Sequence, residues 1–349
     1  MTQSELDNRL KAVFAKVDHD EPLSRHTTLG VGGPARWFAT ATSIEQMQSG
    51  LQLAHDAGVP AFILGRGSNV IVSDQGFAGL VIRNRAQHWK IVEAPARSPR
   101  AGRDSPISPA RLAALGEQYY RVDDLMYSEA EAPAVIVQVE SGARIEPLMK
   151  ALLRRGITGL QWFAGIPASV GGAVYMNMHG GYHFFGEVVV RALLYDTRTS
   201  EDKLKIVTHG YFQFDYDSSI LAQTREAVLW VQLELQYGDV ARARETAVEW
   251  ARRKALQPQK SAGCIFRNLS PAEQKQLDLP TPSIGYLVEH VLKLKGARRG
   301  DAIISPRHAA FIENLGHAST QEVKELITLV KSKAKDELGL ELIEEVEYL

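Results

Sequence analysis

A buried-strand pattern, Val59 to Leu64, runs into the turn Gly65-Arg66-Gly67-Ser68-Asn69 and out into a second strand pattern, Val70 to Val72. Two widespread phosphate-binding arrangements are thereby excluded. Val70 stands where the third glycine of G-x-G-x-x-G belongs, and no Gly-Lys-Ser/Thr follows. What remains is a short turn whose glycines permit positive φ and close backbone approach. Its successive N–H groups could cradle an anion such as a diphosphate. An ordinary strand-ending turn looks the same, so this segment alone leaves both readings open.

The surroundings alternate helix and strand signals. Ser43 and Gln46 form a capping box ahead of Ile44, Met47, Leu51 and Ala54 at helical spacing, with Gly58 as the stop. Leu80 to Ile82 reads as a further strand beyond the glycine bend at Gly76 and Gly79. From about Ala94 to Ala132 prolines and arginines replace the strand pattern, which predicts an exposed insertion with one short helix after Pro109. Strands are expected at Val135–Val139 and Val228–Leu235, and a helix at Ile145–Arg155. Another helix carries Val240, Ala247, Ala251 and Ala255 on one side. A separate α/β unit runs from Leu256 to about Lys335. Its last helix opens with the box Ser319/Glu322, carries Val323, Leu326, Ile327, Val330 and Ala334, and stops near Gly339. ELIEEVEYL reads as a final strand.

Composition narrows the function. Forty basic residues against 41 acidic ones leave a net charge of −1, so there is no global footprint for nucleic acid. No apolar run nears the ~20 residues that span a bilayer. The polar, acidic start is unlike a secretory signal, and a single cysteine fits a reducing cytoplasm.

A second small-residue loop, Gly165-Ile166-Pro167-Ala168-Ser169-Val170-Gly171-Gly172-Ala173, would let a planar ligand lie on backbone, or simply pack a turn tightly. Cys264 has basic neighbours in Lys254, Lys260 and Arg267. A thiol with a pKa of ~8.5 is mostly protonated at neutral pH and can donate a proton. A buried, inert cysteine is the plainer alternative. Glu344 and Glu345 are adjacent on a strand, so at most one can face a given site. His179 and His183 have i, i+4 spacing, but their glycine-rich context predicts no helix and no metal site.

In order, the chain contains PLSRHTTLGVGGPARWF, ILGRGSNVIVSDQGFAGLVI, GLQWFAGIPASVGGAVYMN, SAGCIFRN, LKLKG, SPRHAAFIEN and LELIEEVEYL. This order and spacing resembles the flavin-dependent UDP-N-acetylenolpyruvoylglucosamine reductases of peptidoglycan synthesis. The likeness covers nearly the whole chain apart from Ala94–Ala132. No extra tyrosine-bearing loop lies between Leu235 and Lys254, as in the shorter, type II branch.

The resemblance implies an α/β fold. Two parts would form an FAD-binding fold of the vanillyl-alcohol-oxidase type, at 1–83 (joined by 339–349) and 84–240. A substrate domain would follow at 241–338. It implies FAD on Gly65, Arg66, Gly67, Ser68, Asn69 and Val70, and on Gly165, Ile166, Pro167, Ser169, Gly171 and Gly172. NADPH would be the reductant, and a UDP-sugar enolpyruvyl ether the small-molecule substrate. Cys264 maps to the proton donor and Glu345 to the catalytic glutamate. Lys254, Asn268 and His308 map to substrate-binding positions.

Two departures stand out. Asp217, in FDYDSSI, occupies the place of the family's catalytic arginine. Either Arg267, Arg144 or Arg191 compensates, or the chemistry has changed. NMHGGYHFFGEV is two residues longer than the family's pattern there and brings in His179 and His183. A repurposed flavin oxidoreductase and a non-catalytic flavin- or nucleotide-binding paralogue therefore stay open as alternatives.

Overall fold

The structure is a computed structural model that describes residues 2–92, 125, 127–129, 131–196 and 203–349. The short helix expected after Pro109 lies outside these residues. The mixed α/β architecture expected from the sequence is present, as two packed sheets and a third α/β unit.

The first sheet contains β1 (Val17–Pro22), β2 (Pro34–Ala41), β3 (Ala61–Leu64) and, beyond the short β4 (Val70–Ile71), β5 (Phe77–Asn84). The order is β1-β2-β5-β3, with β5 parallel to both β2 and β3. Both faces are buried, as continuous apolar strands require. Leu80 and Ile82 face the helices Gln3–Val13 and Ile44–Asp56, while Val81 packs oppositely with Leu23, Phe38 and Val72. Each such fully buried side chain contributes about 1.5–3 kcal/mol. The box expected at Ser43 closes only halfway. Ser43 Oγ accepts from the Gln46 N–H, but the Gln46 side chain turns to the Thr42 N–H, 2.8 Å away.

The second sheet is antiparallel throughout. It comprises β6 (Trp89–Val92), β7 (Ala134–Glu140), β10 (Val189–Tyr195), β11 (Leu204–Thr208) and β12 (Ala227–Gln236), in the order β11-β10-β12-β7-β6. Between β7 and β10 in sequence lies a tight hairpin, β8 (His179–Gly180) with β9 (His183–Phe184). One sheet face packs under the helices Ile145–Leu153 and Val240–Lys254, while Tyr195, Ala227 and Leu229 reach into the first core. The helix Val240–Lys254 buries Ala243, Thr246, Ala247 and Trp250; of the expected side, Ala247 is buried and Ala251 packs against the core, while Ala255 is exposed. The large Trp250 selects the stripe, with its small neighbours one turn earlier. By packing, this helix belongs to the second core, although a boundary at 241 groups it with the third unit.

The third unit holds β13 (Arg298–Arg299), β14 (Ala302–Ile304) and β15 (Ile312–Asn314) beneath the helix Thr320–Leu338. That helix starts at the complete Ser319/Glu322 box, buries the expected stripe and ends at left-handed Gly339. Leu29, Val31 and Ile71 from early in the chain enter this core, as do Leu340, Leu342 and Val346. Asn314 ties the junction. Its Nδ2 donates to the Leu29 and Gly30 carbonyls, and its Oδ1 accepts from the N–H groups of Gly316 and Ala318. Finally β16 (Glu347–Tyr348) pairs in parallel with β4. Among the described residues, no helix is long and apolar enough to cross a membrane.

Candidate active site

A cavity of about 720 Å³ lies where the three parts meet. Gly65 to Val70 line it, as do Gly165, Ile166, Pro167, Ser169, Gly171 and Gly172. Lys254, Cys264, Asn268, His308 and Glu345 share the same walls. Every residue to which the resemblance gives a cofactor, substrate or catalytic role thus lines one cavity.

The two glycine turns touch there. A Cβ on Gly65 would sit 2.5 Å from Ser169 Oγ, and one on Gly67, where φ is 63°, would sit 2.3 Å from the His26 carbonyl oxygen. Glycine is what lets these backbones close up and still leave the cavity room for a ligand. The first turn is also stitched to the last strand. Asn69 Nδ2 donates to the Glu345 carbonyl at 3.1 Å, and Glu347 N–H donates to the Asn69 carbonyl at 3.0 Å.

Cys264 is positioned by backbone pairing on two sides. Ile265 N–H donates to the Ala310 carbonyl, and Glu345 N–H donates to the Ile265 carbonyl at 2.8 Å. Strand alternation then separates the two glutamates. Glu344 turns out to Lys331, while Glu345 lines the cavity.

The charges in the cavity are strongly coupled. Burial and the nearby Asp217 carboxylate raise Glu345 well above the usual carboxylate range, against the pull of Arg267 and Lys254. Burial lowers Lys254, while Cys264, Asp217 and Glu345 oppose that. Burial and the Lys254 charge push His308 down to about 4, so its ring is neutral at pH 7. His308 Nδ1 accepts from the Ala310 N–H, which places the ring proton on Nε2.

The two sequence departures meet in this cavity. His179 Nδ1 lies 2.7 Å from Asp217 Oδ1. Of the arginines considered as compensation, Arg191 donates to Gln232 at 2.7 Å and Arg144 lies beside Arg66. Arg267 is the one of the three that acts on Glu345.

A model of the UDP-N-acetylenolpyruvoylglucosamine reductase C-terminal domain matches residues 256–349. UDP-N-acetylenolpyruvoylglucosamine reductase 1 of Bacillus anthracis is 33% identical over 347 residues, covering 97% of both chains. The chain belongs to the UDP-N-acetylenolpyruvoylglucosamine reductase family. The Bacillus subtilis (strain 168) reductase is 32% identical over 344 residues, covering 96% of this chain and 94% of its own. The crystal structure of the reductase from Thermus caldophilus aligns with a TM-score of 0.66 at 28% identity, covering 95% of this chain and 98% of its own. That reductase thus shares this fold over nearly its whole length.

Sequence reasoning missed two tyrosines. Tyr216, 6% exposed, accepts from Asn268 Nδ2 at 3.2 Å and so fixes that amide against the cavity. Tyr175 donates to Glu347 and accepts from Arg225 at 2.9 Å. Both lie within quoted motifs, but a tyrosine there reads equally as apolar packing.

Proposed function

We propose that this chain reduces UDP-N-acetylenolpyruvoylglucosamine to UDP-N-acetylmuramate in cytoplasmic peptidoglycan precursor synthesis, with FAD as cofactor and NADPH as reductant. The observation that carries this reading is the meeting of Cys264, Lys254 and Glu345 in the cavity formed by the two glycine turns. The turns fit a dinucleotide in that both line the cavity, and their glycines let the two backbones close up beside it. Gly65 to Val70 would hold the diphosphate, and Gly165 to Gly172 would border the ring system. When bound, FAD would take a hydride from NADPH and deliver one to the enolpyruvyl methylene carbon.

The chain's own residues handle charge and proton. Cys264 would give its Sγ proton to the carbon that bears the substrate carboxylate, and would regain it from solvent. Lys254 would offset the charge that develops on that carboxylate. Glu345, its carboxyl raised by burial and the nearby Asp217 charge, would face the same developing anion. Asn268, fixed by Tyr216, and His308, donating through Nε2, would orient the nucleotide portion.

The test is NADPH oxidation by purified protein of known flavin content, with and without UDP-N-acetylenolpyruvoylglucosamine. Substrate-dependent oxidation is expected. In Cys264→Ala it should fall by roughly 10²–10⁴, while reduction of the flavin by NADPH continues. Asp217 favours a second reading, a flavoenzyme on this scaffold with another substrate. Bound FAD without UDP-sugar binding would select it.

A further inference from the structure

We infer that His179 and Asp217 act as one unit, in which the His179 ring, protonated and braced on the Asp217 carboxylate, presents positive charge to the anionic substrate in the cavity. The inference rests on the reductase reading above.

Asp217 is 3% exposed and sits at φ 46°, in the left-handed region. The turn around it is clamped. Asp215 and Ser218 exchange backbone hydrogen bonds, and Ser219 Oγ donates to the Tyr175 carbonyl at 2.7 Å. An ionised carboxylate so buried requires a counter-charge. His179 is the ring in contact with it, and among the described residues Asp217 Oδ2 has no hydrogen-bond partner.

His179 is fixed just as firmly. Its hairpin is pressed onto Trp162, since a Cβ on Gly180 would lie 1.9 Å from the Trp162 carbonyl oxygen. The ring stacks on Tyr216 at 5.5 Å, and the side chain is 30% exposed on the cavity wall. A carboxylate has no proton to give, so Nδ1 is the donor. In the neutral ring Nε2 would then be a bare acceptor. Only the protonated ring turns a second N–H, and a charge, toward a substrate anion.

The other ionisable groups around the pair leave this role to His179. On its own hairpin, His183 is taken by Glu187 at 3.0 Å. Tyr216 covers the ring and Cys264 lies near Tyr216, while Lys254 and Glu345 interact with Asp217. Arg267 faces Glu345. Without His179, Asp217 would draw on Lys254, the cation that the proposed mechanism assigns to the substrate carboxylate.

The test compares parent, His179→Gln and Asp217→Asn, all loaded with flavin, by kcat/KM for UDP-N-acetylenolpyruvoylglucosamine across pH. Glutamine keeps a donor for Asp217 but cannot carry charge. His179→Gln should lose about 10²–10³ in kcat/KM and shift the alkaline limb to the position set by the remaining acids, Cys264 among them. Asp217→Asn should move that limb to lower pH. A His179→Gln profile that keeps the parental limb overturns the inference, whatever its rate. Should either variant fail to bind flavin, calorimetric substrate binding by the parent, in buffers of different ionisation enthalpy, decides. Proton uptake on binding at alkaline pH supports the pair, and none overturns it. A parent without substrate-dependent turnover overturns the reductase reading and this inference with it, whereas an active parent with an unchanged variant overturns only the inference.

Discussion

Replacing Gly67 by alanine tests whether the shape of the first glycine turn holds the flavin nucleotide. The substitution adds one methyl group at φ 63°. The left-handed conformation alone costs an alanine about 1–2 kcal/mol. The new Cβ would also lie 2.3 Å from the His26 carbonyl oxygen and 2.9 Å from Thr27 Cα. Both are backbone atoms, and neither can rotate away. Backing the turn off would stretch the 2.9 Å hydrogen bond from Thr28 N–H to the Gly67 carbonyl, worth a further ~1 kcal/mol. The sum is about 2–3 kcal/mol of distortion. If binding requires the parental turn, this appears as roughly 30- to 150-fold weaker FAD binding. Gly339 supplies the reference, because it has φ 66° and nothing within 4 Å of an added Cβ. Gly339→Ala should lose only about 1–2 kcal/mol of stability and bind FAD like the parent. Flavin fluorescence titrations and thermal melts of both variants read the two effects separately. Parental FAD affinity in Gly67→Ala would refute the argument, as would equal losses in the two variants.

His308 gives the protein a pH dependence of known sign. The folded ring titrates near 4 and the unfolded one near 6.5. Above pH 6.5 both states are neutral. As pH falls below that, the unfolded chain takes up the proton first, and stability is lost until pH 4. Over that window the loss is about 3 kcal/mol. Urea unfolding at pH 7.5 and 4.5 should therefore show a smaller acid loss in His308→Gln than in the parent, and equal losses would sink the assignment. Asn314→Ala strips four hydrogen bonds from a side chain that is 5% exposed. A loss of about 2–4 kcal/mol is expected in urea unfolding; a change under about 0.5 kcal/mol would show that solvent replaces these bonds.

Local elements were readable because their signals are local. The helix Thr320–Leu338 has its capping box, its stripe and its stop within a single stretch. Glycines at 65 and 67 stood out because only they fit where they are. The helix Val240–Lys254 was placed, but only Ala247 and Ala251 of its expected side pack on the core. Counting alanines cannot tell which stripe a tryptophan will claim. The His179–Asp217 contact was the hardest to foresee. Its members sit on a hairpin and a turn 38 residues apart, and no periodicity links them. Each was noticed as an oddity, and the missing charge was sought among arginines. Arg191 and Arg144 proved to be engaged elsewhere, with Gln232 and beside Arg66.

The pairing of Asn69 with the last strand spans 276 residues, which has a consequence for biosynthesis. The glycine turn leaves the ribosome long before Glu345 and Glu347 are made. Until they appear, the Ile265–Arg267 segment lacks a neighbour, β4 lacks its partner, and one wall of the cleft is missing. The nascent chain can thus complete much of its first two sheets while the wall that carries Glu345 is still absent. Chains arrested before Glu345 should therefore hold flavin more weakly than the full chain.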